Sequence, residues 1–502
     1  MSTAGALAMP VPQPIPPIKD YNMNCTQSDL TKIVELVVQQ LGPLLQEKGL
    51  ATAACCKPAA CGEDGIFDEL EDAIAAAEAA HKQLNSIALR DKAIAAIRSE
   101  AKLKARELAE EAVRETGMGR VEDKIKKKIL QAERTPGVEA LYPAAVSGDA
   151  GLALTENAPW GLIASVIPCT NPAATVINNA ISMIAGGNAV IFAPHPRSKQ
   201  VSIRCIQMLN RAIYHATGIQ NLLTALRKPS LEAAQRIFTH PRVSLLVVTG
   251  GEAVVEAARK IATMRIICAG AGNPPVLVDE TADIARAARS IYDGASFDNN
   301  IICADEKVII VVDKVADAFN AAIKDLGAVF VSLEQADAIA KVVFKNYPGQ
   351  NAVANPEWVG KDASKIAAAA GISVPESCRL LLVDVGRDCA HAFVHVEQMM
   401  PVLPVLHCAD AAEGIEWAVK AERGLKHTAG LHSRNIDVMD AMARRINNSL
   451  FVKNGPHIAG LGAGGEGWTS MTISTPTGEG VTNARTFVRL RRCVMAENLR
   501  IV

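Results

Sequence analysis

Ser244-Leu245-Leu246-Val247-Val248-Thr249-Gly250-Gly251 runs directly into Glu252-Ala253-Val254-Val255-Glu256-Ala257-Ala258-Arg259-Lys260-Ile261. The first segment is a short unbroken apolar run, the pattern of a strand covered on both faces, and the second is an Ala- and Glu-rich helix former. The glycine pair between them brings backbone amides to a helix N-terminus, where unpaired N–H groups and the helix dipole favour an anion such as a pyrophosphate. It is not a complete G-x-G-x-x-G, and by itself it reads equally well as a generic βα turn. The same alternation continues outward. Apolar runs at 162–168, 189–193, 244–249 and 265–269 alternate with helical stretches, and a second set follows near 307–312, 328–332 and 380–383. Such alternation implies βαβ crossovers, parallel sheets and helices on both faces. The expected fold class is α/β with two lobes dividing near Gly270.

A chain of 502 residues is long enough for two well-packed cores. With 49% hydrophobic and 21% charged residues it has the means to offset its ordering entropy. The formal charge of −1 argues against nucleic-acid binding, and Arg489, Arg491 and Arg492 read as a solvated strand face. Twelve cysteines are dilute at this length and lie in no small stapled domain, so reduced thiols are expected. Cys55, Cys56 and Cys61 lack a fourth ligand at metal-binding spacing, and no metal is expected. No apolar run approaches the ~20 residues that span a bilayer, and the proline-rich start is no secretory signal. A soluble cytoplasmic protein follows.

Residues 1–27 read as a flexible leader. From Ser28, a helix cap, Leu30, Ile33, Val34, Val37, Val38 and Leu41 form one apolar helical stripe within 1–48. An Ala-, Cys- and Gly-rich linker over 49–65 separates it from the body. A short helix cut off in this way cannot easily bury its stripe at home, which favours docking on a partner over packing as an extra core helix. From Ile66 the segments 68–101 and 103–115 read as helices, and 138–147 and 485–496 as strands.

Three further motifs bear on chemistry. Ile167-Pro168-Cys169-Thr170-Asn171-Pro172 is a strand end followed by a turn that exposes an amide, or simply an Asn-Pro turn former. Ser296-Phe297-Asp298-Asn299-Asn300-Ile301-Ile302-Cys303 places a thiol behind polar residues that, with a bound dinucleotide, are expected to favour the thiolate. Cys205 and Cys268, in apolar periodic segments, read as core fillers. Gly460-Leu461-Gly462-Ala463-Gly464-Gly465-Glu466-Gly467 has no following Lys-Ser/Thr and reads as a flexible wall of the cleft rather than a phosphate loop.

Ala269-Gly270-Ala271-Gly272-Asn273-Pro274-Pro275, the Cys303 segment, 451–456, 474–480 and 484–487 together resemble the coenzyme-A-acylating propionaldehyde and acetaldehyde dehydrogenases of bacterial microcompartments, within the aldehyde dehydrogenase superfamily. The resemblance extends from about Gly65 to Val502. It implies an aldehyde dehydrogenase-like fold: a NAD/CoA-binding lobe at 66–269 with oligomerisation strands about 138–156, a catalytic thiol lobe at 270–467, and a return to the first lobe with an oligomerisation strand at 468–502. A homodimer or homotetramer follows from the same resemblance. It also implies that residues 28–45 bind microcompartment shell proteins.

By that resemblance Cys303 is the nucleophile and Asn171 the oxyanion donor. Cofactor contacts fall to Pro168, Thr170, Ala193, His195, Pro196, Arg197, Thr249, Gly250, Gly251, Ala269, Gly270 and Glu397. Hydrolytic relatives carry glutamate where Ala269 stands and a lysine where Ala193 stands; His195, Arg197 and Lys199 follow Ala193 and suit adenosine or coenzyme A phosphates, or form a simple basic loop. Glu397, in Glu397-Gln398-Met399-Met400-Pro401-Val402, corresponds to the carboxylate that holds the nicotinamide ribose. Ile301-Ile302 replaces the Leu-Pro of many relatives, which bears on aldehyde chain length. The implied reaction joins a short aldehyde, NAD⁺ and coenzyme A in a ping-pong cycle through a thioacyl-enzyme. The other readings are hydrolysis with some other base, and an encapsulated assembly component.

Overall fold

The computed structural model describes residues 62–349 and 351–499. The segment 1–48 with its docking face 28–45, all but the last few residues of the 49–65 linker, and Cys55, Cys56 and Cys61 lie outside the described residues.

Apart from two short antiparallel ribbons, the strands are β1 (Ile66–Phe67), β2 (Ala144–Gly148), β3 (Gly151–Pro159), β4 (Leu162–Ile167), β5 (Ala189–Pro194), β6 (Leu223–Leu226), β7 (Leu245–Thr249), β8 (Arg265–Ala269), β9 (Pro275–Val278), β10 (Val308–Val312), β11 (Val329–Val331), β12 (Leu381–Gly386), β13 (Val402–Cys408), β14 (Thr428–His432), β15 (Leu450–Lys453) and β16 (Val488–Ala496). The first sheet has the order β1-β6-β5-β4-β7-β8 and is parallel throughout. A second parallel sheet runs β11-β12-β13-β10-β9-β14-β15. Both faces of its strands are apolar: Leu277, Ile310 and Leu406 pack into one core, and Val276, Ile309 and Val405 into the other. That is why each strand reads as a continuous run.

The helices that matter here are α1 (Leu70–Gln83), α2 (Ile87–Leu103), α3 (Ala105–Thr116), α4 (Val121–Arg134), α5 (Pro172–Ala185), α6 (Lys199–Thr217), α7 (Leu231–Phe238), α8 (Glu252–Ile261) and α9 (Ile284–Ser296). The segment expected as one helix over 68–101 is broken, because Ser86 caps α2 by accepting from the Leu89 amide. Val138–Ala140 is a 3-10 turn, so the strand expected over 138–147 begins only at Ala144. α5 begins with Pro172 at its first turn, and every one of its residues is buried.

In the first sheet the chain steps from β4 outward to β5 and β6, then returns to place β7 on the opposite side of β4. The crevice at the carboxyl ends of β4 and β7 is therefore a topological switch point, where open parallel sheets bind ligands. A third sheet, β2-β3-β16, is antiparallel and stands apart, with Val146, Leu490, Val494 and Met495 exposed.

Asn188 locks this arrangement just before β5. Its Oδ1 accepts from the amides of Trp160 (2.7 Å) and Gly161 (3.1 Å), and its Nδ2 donates to the carbonyls of Met183 and Phe487, both at 2.9 Å. Asn188→Ala removes four side-chain hydrogen bonds to the backbone and is expected to lower unfolding free energy by about 2 kcal/mol or more in a urea titration; a change below about 0.5 kcal/mol would contradict this account.

Candidate active site

The carboxyl ends of β4 through β8 open into one cleft of about 570 Å³. Pro168, Thr170 and Asn171 come from the end of β4, Ala193, His195 and Pro196 from β5, and Thr249 to Gly251 from β7. Ala269 and Gly270 close β8, and Cys303, Glu397, Met399 and Met471 complete the inner end. Arg197 alone of the expected cofactor contacts does not line the cleft: its guanidinium donates to the Pro356 carbonyl (3.4 Å), while its amide donates to His195 Nδ1. The 460–467 loop is likewise not a cleft wall. Ala463 and Leu461 pack with Ile302, Leu450 and Met471 in the cluster behind Cys303.

The outer half of the cleft is apolar. Leu231, Ala234 and Phe238 of α7 face Val254, Ala257 and Ile261 of α8, a slot that fits a flat heterocycle. Gly251 and Ala253, at the start of α8, present that helix's N-terminus to the same space. Thr249 Oγ1 is tied to Thr472 Oγ1 at 3.0 Å, and the Gly250 amide to the Ala269 carbonyl at 3.2 Å. Beside the inner end Cys169 and Met399 pack with Met118, Ile301 and Val359, so Ile301 helps to bound the space next to the thiol.

Cys303 follows three consecutive left-handed residues, Asp298 (φ 46°), Asn299 (φ 57°) and Asn300 (φ 63°). Asp and Asn tolerate that region best, which is the physical reason for this run. Neither asparagine side chain bonds the thiol. Asn299 Nδ2 donates to the Gly360 carbonyl and to Asp362, and Asn300 Nδ2 donates to the carbonyls of Ala295 and Glu306. Lys307, fully buried, donates to the Asn300 carbonyl (2.7 Å) and the Ile302 carbonyl (3.1 Å).

The expected thiolate is therefore not favoured in the ligand-free protein. Burial pushes the Cys303 thiol up to about 12, and the Glu397 charge adds to the rise against the opposing pull of Lys307. Cys205 and Cys268 are fully buried, as the core-filler reading holds. Glu397 is the only carboxylate lining the cleft among the described residues. It accepts the Gly272 amide at 3.1 Å, and burial raises its own carboxyl above the usual range.

Gly272 explains part of the motif that begins at Ala269. A Cβ there would stand 2.7 Å from the Cys303 carbonyl oxygen and 2.9 Å from the His427 ring. His427 was not singled out from sequence, since an isolated histidine carries no pattern. Its Nδ1 pairs with Thr428 Oγ1 (2.8 Å), its Nε2 has no partner, and burial brings it down to about 4, a neutral imidazole behind the thiol loop.

Asn171 precedes α5, and its Nδ2 lies 3.5 Å from the Ile301 carbonyl, which brings the β4 end against the Cys303 loop. Its Oδ1 accepts from Lys127. Lys124, Lys127 and Lys128 of α4 are all buried, an arrangement that sequence patterning, which places charge outward, assigns no role.

The profile of the aldehyde dehydrogenase family matches residues 57–336. An acetaldehyde dehydrogenase (acetylating) of Bilophila wadsworthia is 64% identical over 484 residues, 96% of this chain and 100% of that protein. The chain belongs to the aldehyde dehydrogenase family. A CoA-propanoylating propanal dehydrogenase of Salmonella typhimurium is 44% identical, over 87% of this chain and 93% of its own length. Among solved structures, a propionaldehyde dehydrogenase of Rhodopseudomonas palustris, with bound CoA and an acylated cysteine, superposes with TM-score 0.84 at 40% identity, covering 88% of this chain and 100% of that one. One from a Clostridium phytofermentans fucose-utilisation microcompartment gives TM-score 0.84 at 40% identity, over 87% and 100%. The two-lobed parallel α/β expectation is thus that family's fold.

A thiol held at about 12 has a thiolate fraction that climbs about tenfold per pH unit through neutrality. Iodoacetamide labelling of the Cys303 peptide in cofactor-free protein, followed by mass spectrometry, is expected to accelerate in that proportion from pH 7 to 10. A plateau reached by pH 8 would show an activated resting thiolate instead.

Proposed function

We propose that the chain oxidises a short aliphatic aldehyde, propionaldehyde or acetaldehyde, with NAD⁺ and coenzyme A to acyl-CoA and NADH. The carrying observation is that Cys303 and Ala269 line one cleft, with a methyl group at the position from which hydrolytic relatives activate water. The residues suit a dinucleotide: the apolar slot between α7 and α8 takes adenine, the α8 N-terminus with Thr249, Gly250 and Gly251 takes phosphate, and Glu397 takes the nicotinamide ribose. Bound NAD⁺ supplies the hydride acceptor.

Cys303 sulfur adds to the aldehyde carbon as its proton passes to solvent, and the Asn171 amide with the Cys303 backbone N–H receives the oxyanion. Loss of hydride leaves a thioester on Cys303. The thiol of coenzyme A displaces the acyl group in the ping-pong second half and restores Cys303; the reverse sequence reduces acyl-CoA. General-base assistance to water contributes typically 10²–10⁴-fold, and Ala269 provides none. The lobes at 66–269 and 270–467 carry the first and second parallel sheets. The exposed apolar side chains of β2 and β16 support a homo-oligomer built through the third sheet. Docking of residues 28–45 on microcompartment shell proteins is supported by the microcompartment origin of the Clostridium relative.

A second reading, hydrolysis, has one observation in its favour: Glu397 sits in the cleft with a raised pKa, the condition of a general base. Product analysis decides between them. With aldehyde and NAD⁺ but no coenzyme A, NADH is expected to stop at about one equivalent per subunit, and adding coenzyme A is expected to yield thioester at steady state. Sustained free-acid formation without coenzyme A, abolished by Glu397→Gln, would establish hydrolysis.

A further inference from the structure

We propose that Lys127 is the positioning residue of the oxyanion hole, one ammonium that orients the Asn171 amide and at the same time ties it to the loop carrying Cys303. The proposal rests on the Asn171 and Cys303 roles given above and adds what holds them in register.

The two halves of the hole come from different parts of the fold. Asn171 follows β4 of the first sheet, whereas Cys303 lies between α9 and β10, the latter in the second sheet. Lys127 reaches both: its Nζ donates to Asn171 Oδ1 and pairs with the carboxylate of Asp298, five residues before Cys303. The lysine is 2% exposed and Asp298 is fully buried. Water therefore does not compete for these contacts.

The chemistry of the donor fixes the amide's direction. An ammonium has three N–H donors and no lone pair, so only the amide oxygen can face it. Asn171 Nδ2 must then point the other way, toward the Ile301 carbonyl at 3.5 Å and the thiol loop. The last torsion of asparagine is broad and roughly two-fold, so without Lys127 the amide is free to turn and offer its oxygen to the forming oxyanion. An amide oxygen there repels the charge that the amide nitrogen stabilises.

Neighbouring groups keep the clamp rigid without duplicating it. Lys124 donates to Asp298 Oδ2 (3.1 Å) and to the Thr170 carbonyl (3.3 Å). The Arg120 amide donates to Asp298 Oδ1 (2.7 Å), and Asp123 accepts the Asp298 amide (3.1 Å). Among the contacts described for it, none of these reaches the Asn171 side chain. Asp298 thus keeps partners when Lys127 is replaced, while Asn171 Oδ1 loses its donor.

A double-mutant cycle in the full-length protein tests the clamp, with acyl-CoA-forming turnover, NAD⁺ binding and thermal melting as readouts. Asn171→Ala is expected to lower kcat by about 10²–10³-fold, the usual effect of removing one oxyanion donor. Lys127→Met is expected to lower kcat about 10- to 100-fold while the Kd for NAD⁺ stays within about twofold, and the double variant to turn over within about twofold of Asn171→Ala alone. A residue that only supports the fold would instead multiply the two losses, which overturns the clamp and leaves the Asn171 reading intact. Less than threefold loss in Asn171→Ala overturns both. Lys127→Gln runs the same cycle should Lys127→Met melt below the assay temperature: its amide retains a donor for Asn171, kcat is expected to stay above that of Asn171→Ala, and multiplicative losses again refute the clamp.

Discussion

Asp298 carries a carboxylate where no water reaches it, and the catalytic end of the molecule depends on how that charge is met. Burial alone would raise its pKa, but Lys124 and Lys127 reverse the effect and hold it below the usual carboxylate range. Removing one partner of an isolated buried pair typically costs roughly 3–5 kcal/mol, whereas Asp298 is met by two lysines and the Arg120 amide and keeps compensation when one of them is lost. The left-handed turn at 298–300 is held by its own side chains, each bonded to backbone elsewhere: Asp298 accepts the Arg120 amide before α4, Asn299 donates to the Gly360 carbonyl, and Asn300 donates to the Ala295 carbonyl of α9. α4 repays the cost of burying its lysines by joining the end of β4 to the thiol loop, the two places where charge develops in the proposed reaction.

The Cys303 thiol is held above its ordinary range in the ligand-free protein. The thiol sits in apolar company with Ile302, Ala304 and Met471, and Glu397 raises it further. A resting thiolate in an enzyme that handles aldehydes invites alkylation and oxidation, and an environment that favours the protonated sulfur guards against both. With Ala269 on the cleft floor, the acyl group has no water-activating carboxylate at that position. A diffusible thiol, which needs less help to attack a thioester, is the better-matched acceptor.

Much of the architecture is legible in the residues, for a definite reason. Strands covered on both faces must be apolar at every position, so Leu245–Thr249 and Val308–Val312 announce themselves as unbroken runs, and parallel neighbours follow from the helical segments between them. The site residues at strand ends are legible too, because turns after parallel strands collect at one edge of a sheet. Boundaries are less so. Ser86 splits a helix by one capping hydrogen bond, and Val138 joins a 3-10 turn despite strand-like composition. In the ligand-free protein Asp298, Asn299 and Asn300 do not bond the thiol, because Asp298 is taken up by Lys124 and Lys127 and the two asparagines mainly by backbone carbonyls.

What the order of amino acids determined by itself is the class of fold, which depends on local pattern alone; the roles of Cys303 and Asn171 and the meaning of Ala269 came with the motifs that resemble the aldehyde dehydrogenases. Only the tertiary structure decided that the lysine-rich face of α4 points inward. An ammonium in a dry interior is tolerable only where anions and carbonyls from distant segments converge on it, and Asp298 and Asn171 meet Lys127 across 171 and 44 positions of chain. No local periodicity encodes that meeting; it exists because two sheets and the helix between them close around the same point.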